Sequence, residues 1–183
     1  SYATINNISA FIIEFAKMVE EGQIKEGTII VDSVSDIWSM IQDWAIHELA
    51  KYTTKTGERK ADILLMKIKD QFDWSIPTNK HKELIGTLRG LIKKGIYIVF
   101  TAREQVIPDY AAKQNITLKD RIKCQKDVPF YADNIFYLKK VMGVNEVKYW
   151  AECYKLGGKA PPAQPVESLS FEKIKNLLEK IEV

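Results

Sequence analysis

An α/β fold with a mainly parallel sheet is predicted from three features of the sequence. Two short apolar runs, Thr28-Ile29-Ile30-Val31 and Ile96-Tyr97-Ile98-Val99-Phe100, read as strands buried on both faces, and such strands belong in parallel sheets. Long segments with helical periodicity lie between them, as a crossover connection requires. Each run also ends in polar residues, Asp32-Ser33 and Thr101-Ala102-Arg103, which the topology brings together at the carboxyl edge of the sheet.

The elements follow in order. Ile8, Phe11, Ile12, Phe15, Met18 and Val19 recur at helical spacing, and Gly22 stops that helix. After the first strand, Val34, Ile37, Trp38, Ile41, Trp44, Ala45, Leu49 and Tyr52 repeat with the same period, and Ser33 or Ser35 can cap the helix start. The polar run from Thr53 to Lys60 lacks an apolar anchor and is expected to be a mobile loop. Thr78 is expected to cap a third helix carrying Leu84, Ile85, Leu88, Leu91 and Ile92, which Gly95 ends before the second strand. Asn134–Leu138 and Val147–Tyr154 read as an antiparallel pair joined near Gly143 and Asn145. A loop rich in Gly and Pro runs from Lys155 to Pro165, and Ser170 caps a terminal helix built on Phe171, Ile174, Leu177, Leu178 and Ile181.

Composition fits this plan. The 183 residues suit one packed domain spanning 1–183, and 46% apolar with 28% charged residues exclude a disordered or collagenous chain. A formal charge of +3 indicates a polyanionic partner only if the bases cluster. Cys124 and Cys153 form neither a disulfide framework nor a C-x-x-C site, and His47 and His81 stand far from both. Without an apolar stretch of about 20 residues, no membrane partner is expected, and the sequence reads as that of an intracellular, cytoplasmic protein.

Asp32 carries the first candidate chemistry. A carboxylate at the end of a buried strand needs compensation for its charge. Mg²⁺ would supply it, with Ser33 adding a second oxygen, because this cation prefers oxygen ligands and retains several waters. Alternatively, Asp32 simply caps the following helix. A metal-nuclease trio of Asp32, Asp36 and Asp43 is a weaker reading, since the last two lie on that helix and can face solvent. His47, beside its helix's apolar stripe, and His81, expected near the surface, read as structural or exposed residues.

Thr28-Ile-Ile-Val-Asp32-Ser33 resembles the Walker B strand of RecA-like ATPases. Continuing to Trp38, and followed by Trp74 before a helix, Ile98-Val-Phe-Thr-Ala-Arg103, Ala132-Asp-Asn-Ile-Phe-Tyr-Leu138 and the Phe171 helix, the ordered set is similar to phage and archaeal single-domain RecA-like nucleotide-binding proteins. The resemblance implies a RecA-like central sheet flanked by helices, with a carboxyl-terminal antiparallel pair and terminal helix. It also implies ATP and Mg²⁺ as cofactors. Asp32 would coordinate Mg²⁺ with support from Ser33, while Thr101 would sense the γ-phosphate or orient the attacking water. Arg103 would reach phosphate, contact a neighbouring subunit or solvate the strand end.

The departure is equally specific. No G-x-x-x-x-G-K-[ST] loop occurs, and Gly157-Gly158-Lys159-Ala160 lacks both the upstream Gly and the hydroxyl. The region that carries the family's water-activating acid is absent too. The expectation is therefore the carboxyl-terminal part of a longer ATPase acting in DNA recombination or single-strand annealing, in line with the start at Ser1. A non-enzymatic DNA-binding or assembly module on a degenerate ATPase scaffold is the alternative. Bases gather between Lys113 and Lys126 and again at Lys139, Lys140, Lys148, Lys155 and Lys159. Lys113, Lys119, Arg121, Lys123, Lys155 and Lys159, with Tyr110 for stacking, are the candidate contacts to DNA, expected to be single-stranded. The resemblance further implies a homo-oligomer.

Overall fold

A computed structural model describes residues 2–105, 122–143, 146–158 and 160–179, which fall into two compact units. The first contains the described residues up to 105 together with 122–125, and the second contains those from 126 onward.

In the first unit the order is α1 (Tyr2–Glu20), β1 (Gly27–Val31), α2 (Val34–Leu49), β2 (Ala61–Asp62), β3 (Lys67–Ile68), a 3-10 turn (Phe72–Trp74), α3 (Ser75–Ile92) and β4 (Ile96–Phe100). β1 and β4 pair in parallel, with Gly27 opposite Ile96 and Val31 opposite Phe100. The α/β class and the parallel pairing are as expected. The sheet, however, has two strands, and the described residues show no larger central sheet.

The strands also differ from the expectation of burial on both faces. Side chains alternate along a strand, so Ile29, Val31, Ile96, Ile98 and Phe100 share the covered side. On the other side Ile30, Tyr97 and Val99 are 67%, 71% and 45% exposed. A continuous apolar run does not reveal how many faces its neighbours cover.

α1, α2 and α3 pack against one another, and α3 also packs on β4. Ile5, Ser9, Ile12 and Val19 are the buried positions of α1, whereas Phe11 lies exposed. Ile41, Leu49, Ile85 and Leu88 are almost completely buried, each contributing about 1.5–3 kcal/mol by transfer from water. His81 is fully buried rather than at the surface, packed edge-on to Trp38 with ring centroids 5.5 Å apart. α3 begins three residues before Thr78. Pro77 sits in its first turn, where a missing N–H removes no intrahelical bond.

The 53–60 segment, expected to be a loop, is a hydrogen-bonded hairpin. Thr53 bridges Arg59, and the Thr54 N–H donates to the Glu58 carbonyl at 2.7 Å. It leads into the short β2–β3 pair, whose Ala61 and Ile68 pack with Ala45, Ile46, Leu49 and Ala50 of the second helical segment. Gly95 closes α3 at φ +88°, a backbone conformation that side chains disfavour, and a Cβ there would lie 3.1 Å from the Lys25 carbonyl oxygen.

The second unit contains α4 (Val128–Tyr131), β5 (Asn134–Met142), β6 (Val147–Leu156), β7 (Val166–Glu167) and α5 (Phe171–Glu179). β5 and β6 form the expected antiparallel pair, with a register shift at Ile135/Phe136, and β7 adds a third strand along β6. Ser170 caps α5 as expected, its Oγ accepting from the Lys173 N–H at 3.2 Å. Ile174, Leu177 and Leu178 are half-buried, whereas Phe171 is exposed. Ile181 lies outside the described residues.

Candidate functional site

Parallel pairing with matched register brings the carboxyl ends of β1 and β4 side by side. Backbone bonds extend the match past the strands. The Thr101 N–H donates to the Val31 carbonyl at 3.0 Å, and the Thr101 carbonyl accepts from the Val34 N–H at 2.9 Å. This register carries Thr101 to Asp32, and the Thr101 hydroxyl donates to Asp32 Oδ1. The Asp32–Ser33 peptide bond is cis.

Asp32 is exposed, contrary to the buried carboxylate expected from its strand. It lies one residue beyond the paired run, where Thr101 stands beside it without covering it. Nor does it cap α2. Ser33 is the cap, with Oγ accepting from the Asp36 N–H at 3.3 Å and donating to Asp36 Oδ2 at 2.7 Å. The support expected from Ser33 for a metal therefore competes with capping, which already engages its proton and an oxygen lone pair.

Asp36 and Ser35 also hold Arg103. The guanidinium donates through Nη2 to Asp36 Oδ2 at 2.7 Å, and the Arg103 N–H donates to the buried Ser35 Oγ at 2.8 Å. Sequence reasoning assigned no such role to either residue. Ser33-x-x-Asp36 does carry the spacing of a reciprocal helix cap, the one signal that marks Asp36 locally. Its pairing with a residue 67 positions away had no sequence signal.

The donor set suits a hydrated Mg²⁺ ion better than a caged one. Asp32 offers one exposed carboxylate with Oδ1 oriented by Thr101, and Mg²⁺ is commonly held by one or two carboxylates, waters and substrate phosphates. No group of three His, Cys, Asp or Glu residues that could hold a metal gathers among the described residues, so Asp32, Asp36 and Asp43 do not assemble as a nuclease trio.

Of the candidate DNA contacts, Lys123 and Lys155 fall within the described residues. Lys113, Lys119, Arg121, Lys159 and Tyr110 lie outside the described residues. Lys123 is tied by its backbone N–H to the Arg103 carbonyl at 2.8 Å, beside a Glu104–Ile122 bridge. Lys155 belongs to the second unit, where its ammonium donates to the carbonyls of Phe130, at 3.4 Å, and Ala132. Lys139 and Lys148 are paired with Glu152 and Glu146. Burial pushes the Cys124 thiol up to about 11 and also raises Cys153, so neither is activated as a nucleophile.

Half-buried His47 lines a cleft with Lys51, Arg59 and Ile63, away from the Asp32 constellation. No helix among the described residues is long and apolar enough to cross a membrane. No family model matches the chain, and neither the curated proteins nor the solved structures include a significant match.

Proposed function

We propose that this chain supplies the Walker B strand and the strand beside it to a RecA-like ATPase that acts on DNA in recombination or single-strand annealing. The observation that carries the reading is the contact between Asp32 and Thr101 at the adjoining carboxyl ends of two parallel strands. Ligands in open α/β sheets bind at such ends, and a carboxylate beside a hydroxyl suits a hydrated cation with its polyphosphate. Both strands pair only with each other among the described residues, and the proposal requires further strands of a RecA-like central sheet to join at the outer edges.

Bound Mg²⁺ would neutralise phosphate charge during transfer of a phosphoryl group to water. Asp32 would hold that ion, directly or through water. Thr101 fixes the carboxylate's orientation through Oδ1 and presents a polar group where the γ-phosphate end is expected. Arg103, held by Asp36, adds a cation with further donors for phosphate oxygens. The phosphate loop is not in these 183 residues and would come from elsewhere in the full gene product. DNA, an oligomeric state and a phage or archaeal setting belong to the same proposal through the family resemblance.

The test is ATP turnover by the full gene product. Asp32→Ala is expected to abolish DNA-stimulated hydrolysis while the circular-dichroism spectrum is unchanged and the melting temperature falls by only a few degrees, the scale of the lost bond to Thr101. Undiminished turnover would remove Asp32 from the site. The absence of a phosphate loop from the sequence favours one rival, a non-enzymatic DNA-binding or assembly module on the same scaffold. A gene product without that loop, binding DNA with no ATP dependence, would establish the rival.

A further inference from the structure

We propose that Asp36 is a positioning residue that holds Arg103 beside the Asp32–Thr101 contact, where the guanidinium meets a phosphate of the bound nucleotide. This deepens the nucleotide-site reading and rests on it. Three observations converge on the assignment.

First, Asp36 Oδ2 accepts two hydrogen bonds at 2.7 Å, from Ser33 Oγ and from Arg103 Nη2, joining the residue after Asp32 to the residue two beyond Thr101. Second, the backbone of Arg103 is fixed separately. Its N–H is bonded to Ser35 Oγ, which is only 2% exposed, so the segment after β4 is docked on the first turn of α2 before its side chain makes any contact. Third, the Arg103 side chain remains 64% exposed. Only Nη2 is engaged with Asp36, and a guanidinium has five N–H donors in a fixed fork suited to phosphate oxygens.

An isolated ion pair this exposed would hold little. Here the carboxylate is itself held by the Ser33 cap and lies in the first turn of a 16-residue helix, where negative charge is favoured. The acid therefore has one orientation to offer, and Arg103 inherits it. Ser33 and Asp36 act on Arg103, and Arg103 is the group that reaches phosphate.

The experiment is steady-state ATP turnover by the full gene product, comparing Asp32→Ala, Arg103→Ala, Asp36→Ala, Asp36→Glu and the Asp36→Ala/Arg103→Ala double variant. Arg103→Ala is expected to raise the KM for ATP about tenfold, the scale of one charge-assisted hydrogen bond to phosphate. Asp36→Ala should raise KM comparably, the double variant should be no worse than Arg103→Ala, and Asp36→Glu should recover most of the loss. Glu at the same position caps as well as Asp, so the KM carries the distinction: a residue needed only for helix capping would lower the melting temperature, give effects additive with Arg103→Ala and leave the KM for ATP unchanged. That result, or an unchanged KM in Asp36→Ala while Asp32→Ala still abolishes turnover, overturns the positioning role and leaves the nucleotide site standing. Undiminished turnover in Asp32→Ala overturns both.

Discussion

Thr101→Val separates a structural role at the strand ends from a chemical one. The substitution replaces a hydroxyl with a methyl of similar size and leaves the backbone bonds to Val31 and from Val34 in place, so the parallel register should survive. What is lost is the hydrogen bond to Asp32 Oδ1. A hydrogen bond to a charged group contributes about 1.5–3 kcal/mol when sheltered. Both partners are exposed here, and water replaces much of the contact, which reduces the expected destabilisation to about 0.5–1 kcal/mol. Urea unfolding followed by tryptophan fluorescence would measure it, since Trp38 and Trp44 both lie in α2. Turnover by the full gene product should fall about a hundredfold, the scale of a misplaced positioning group, and Thr101→Ser should restore most of it. A loss of about 3 kcal/mol would mean that the hydroxyl is a sheltered structural bond. Turnover within about twofold of wild type would remove Thr101 from the chemistry.

Two further outcomes test the fold of the first unit. Gly95→Ala should destabilise the first unit by about 1–3 kcal/mol in the same urea assay, because Ala is strained at φ +88° and its Cβ meets the Lys25 carbonyl at 3.1 Å; unchanged stability would contradict that close approach. Burial raises the Cys124 thiol from 9.0 to about 11, so the folded state disfavours the thiolate that the unfolded chain forms more readily. Stability from this group is complete below pH 9 and declines as the pH rises from 9 to 11. Cys124→Ala should flatten that decline, and an identical pH profile in the variant would refute the assignment.

The pairing of β1 with β4 and the helices between them were legible because apolar residues recur with a clear period or in continuous β-branched runs. Coverage was not. Ile30, Tyr97 and Val99 look like core residues in the sequence and stand exposed, since the number of layers over a strand depends on other elements. The strands β2, β3 and β7 span two residues each, too short for any alternation to show. Asp32 and Thr101 were legible as strand-end residues, and their contact follows from register. The Asp36–Arg103 pair depends on where a segment docks after β4, which no local pattern encodes. His81 was misread for a similar reason. Its neighbours Lys80 and Lys82 are polar, but α3 turns the ring onto Trp38.

The bare side of the parallel pair bears on the choice between the two functional readings. Parallel sheets in folded proteins are covered on both faces, whereas this one exposes Ile30, Tyr97 and Val99 and leaves both outer edges unpaired among the described residues. Full burial of three such side chains would contribute about 5 kcal/mol, which is as large as the entire net stability of many domains. The bare face calls for a further packed layer, since strands added at the edges leave it uncovered, and the open edges are where the proposed ATPase would extend the sheet. The same extension would flank the Asp32–Thr101 end and shelter a contact that is now exposed, raising the electrostatic worth of the carboxylate for a cation. On the proposed ATPase reading, completion of the sheet and competence of the site would be one event, whereas a binding module requires no such coupling.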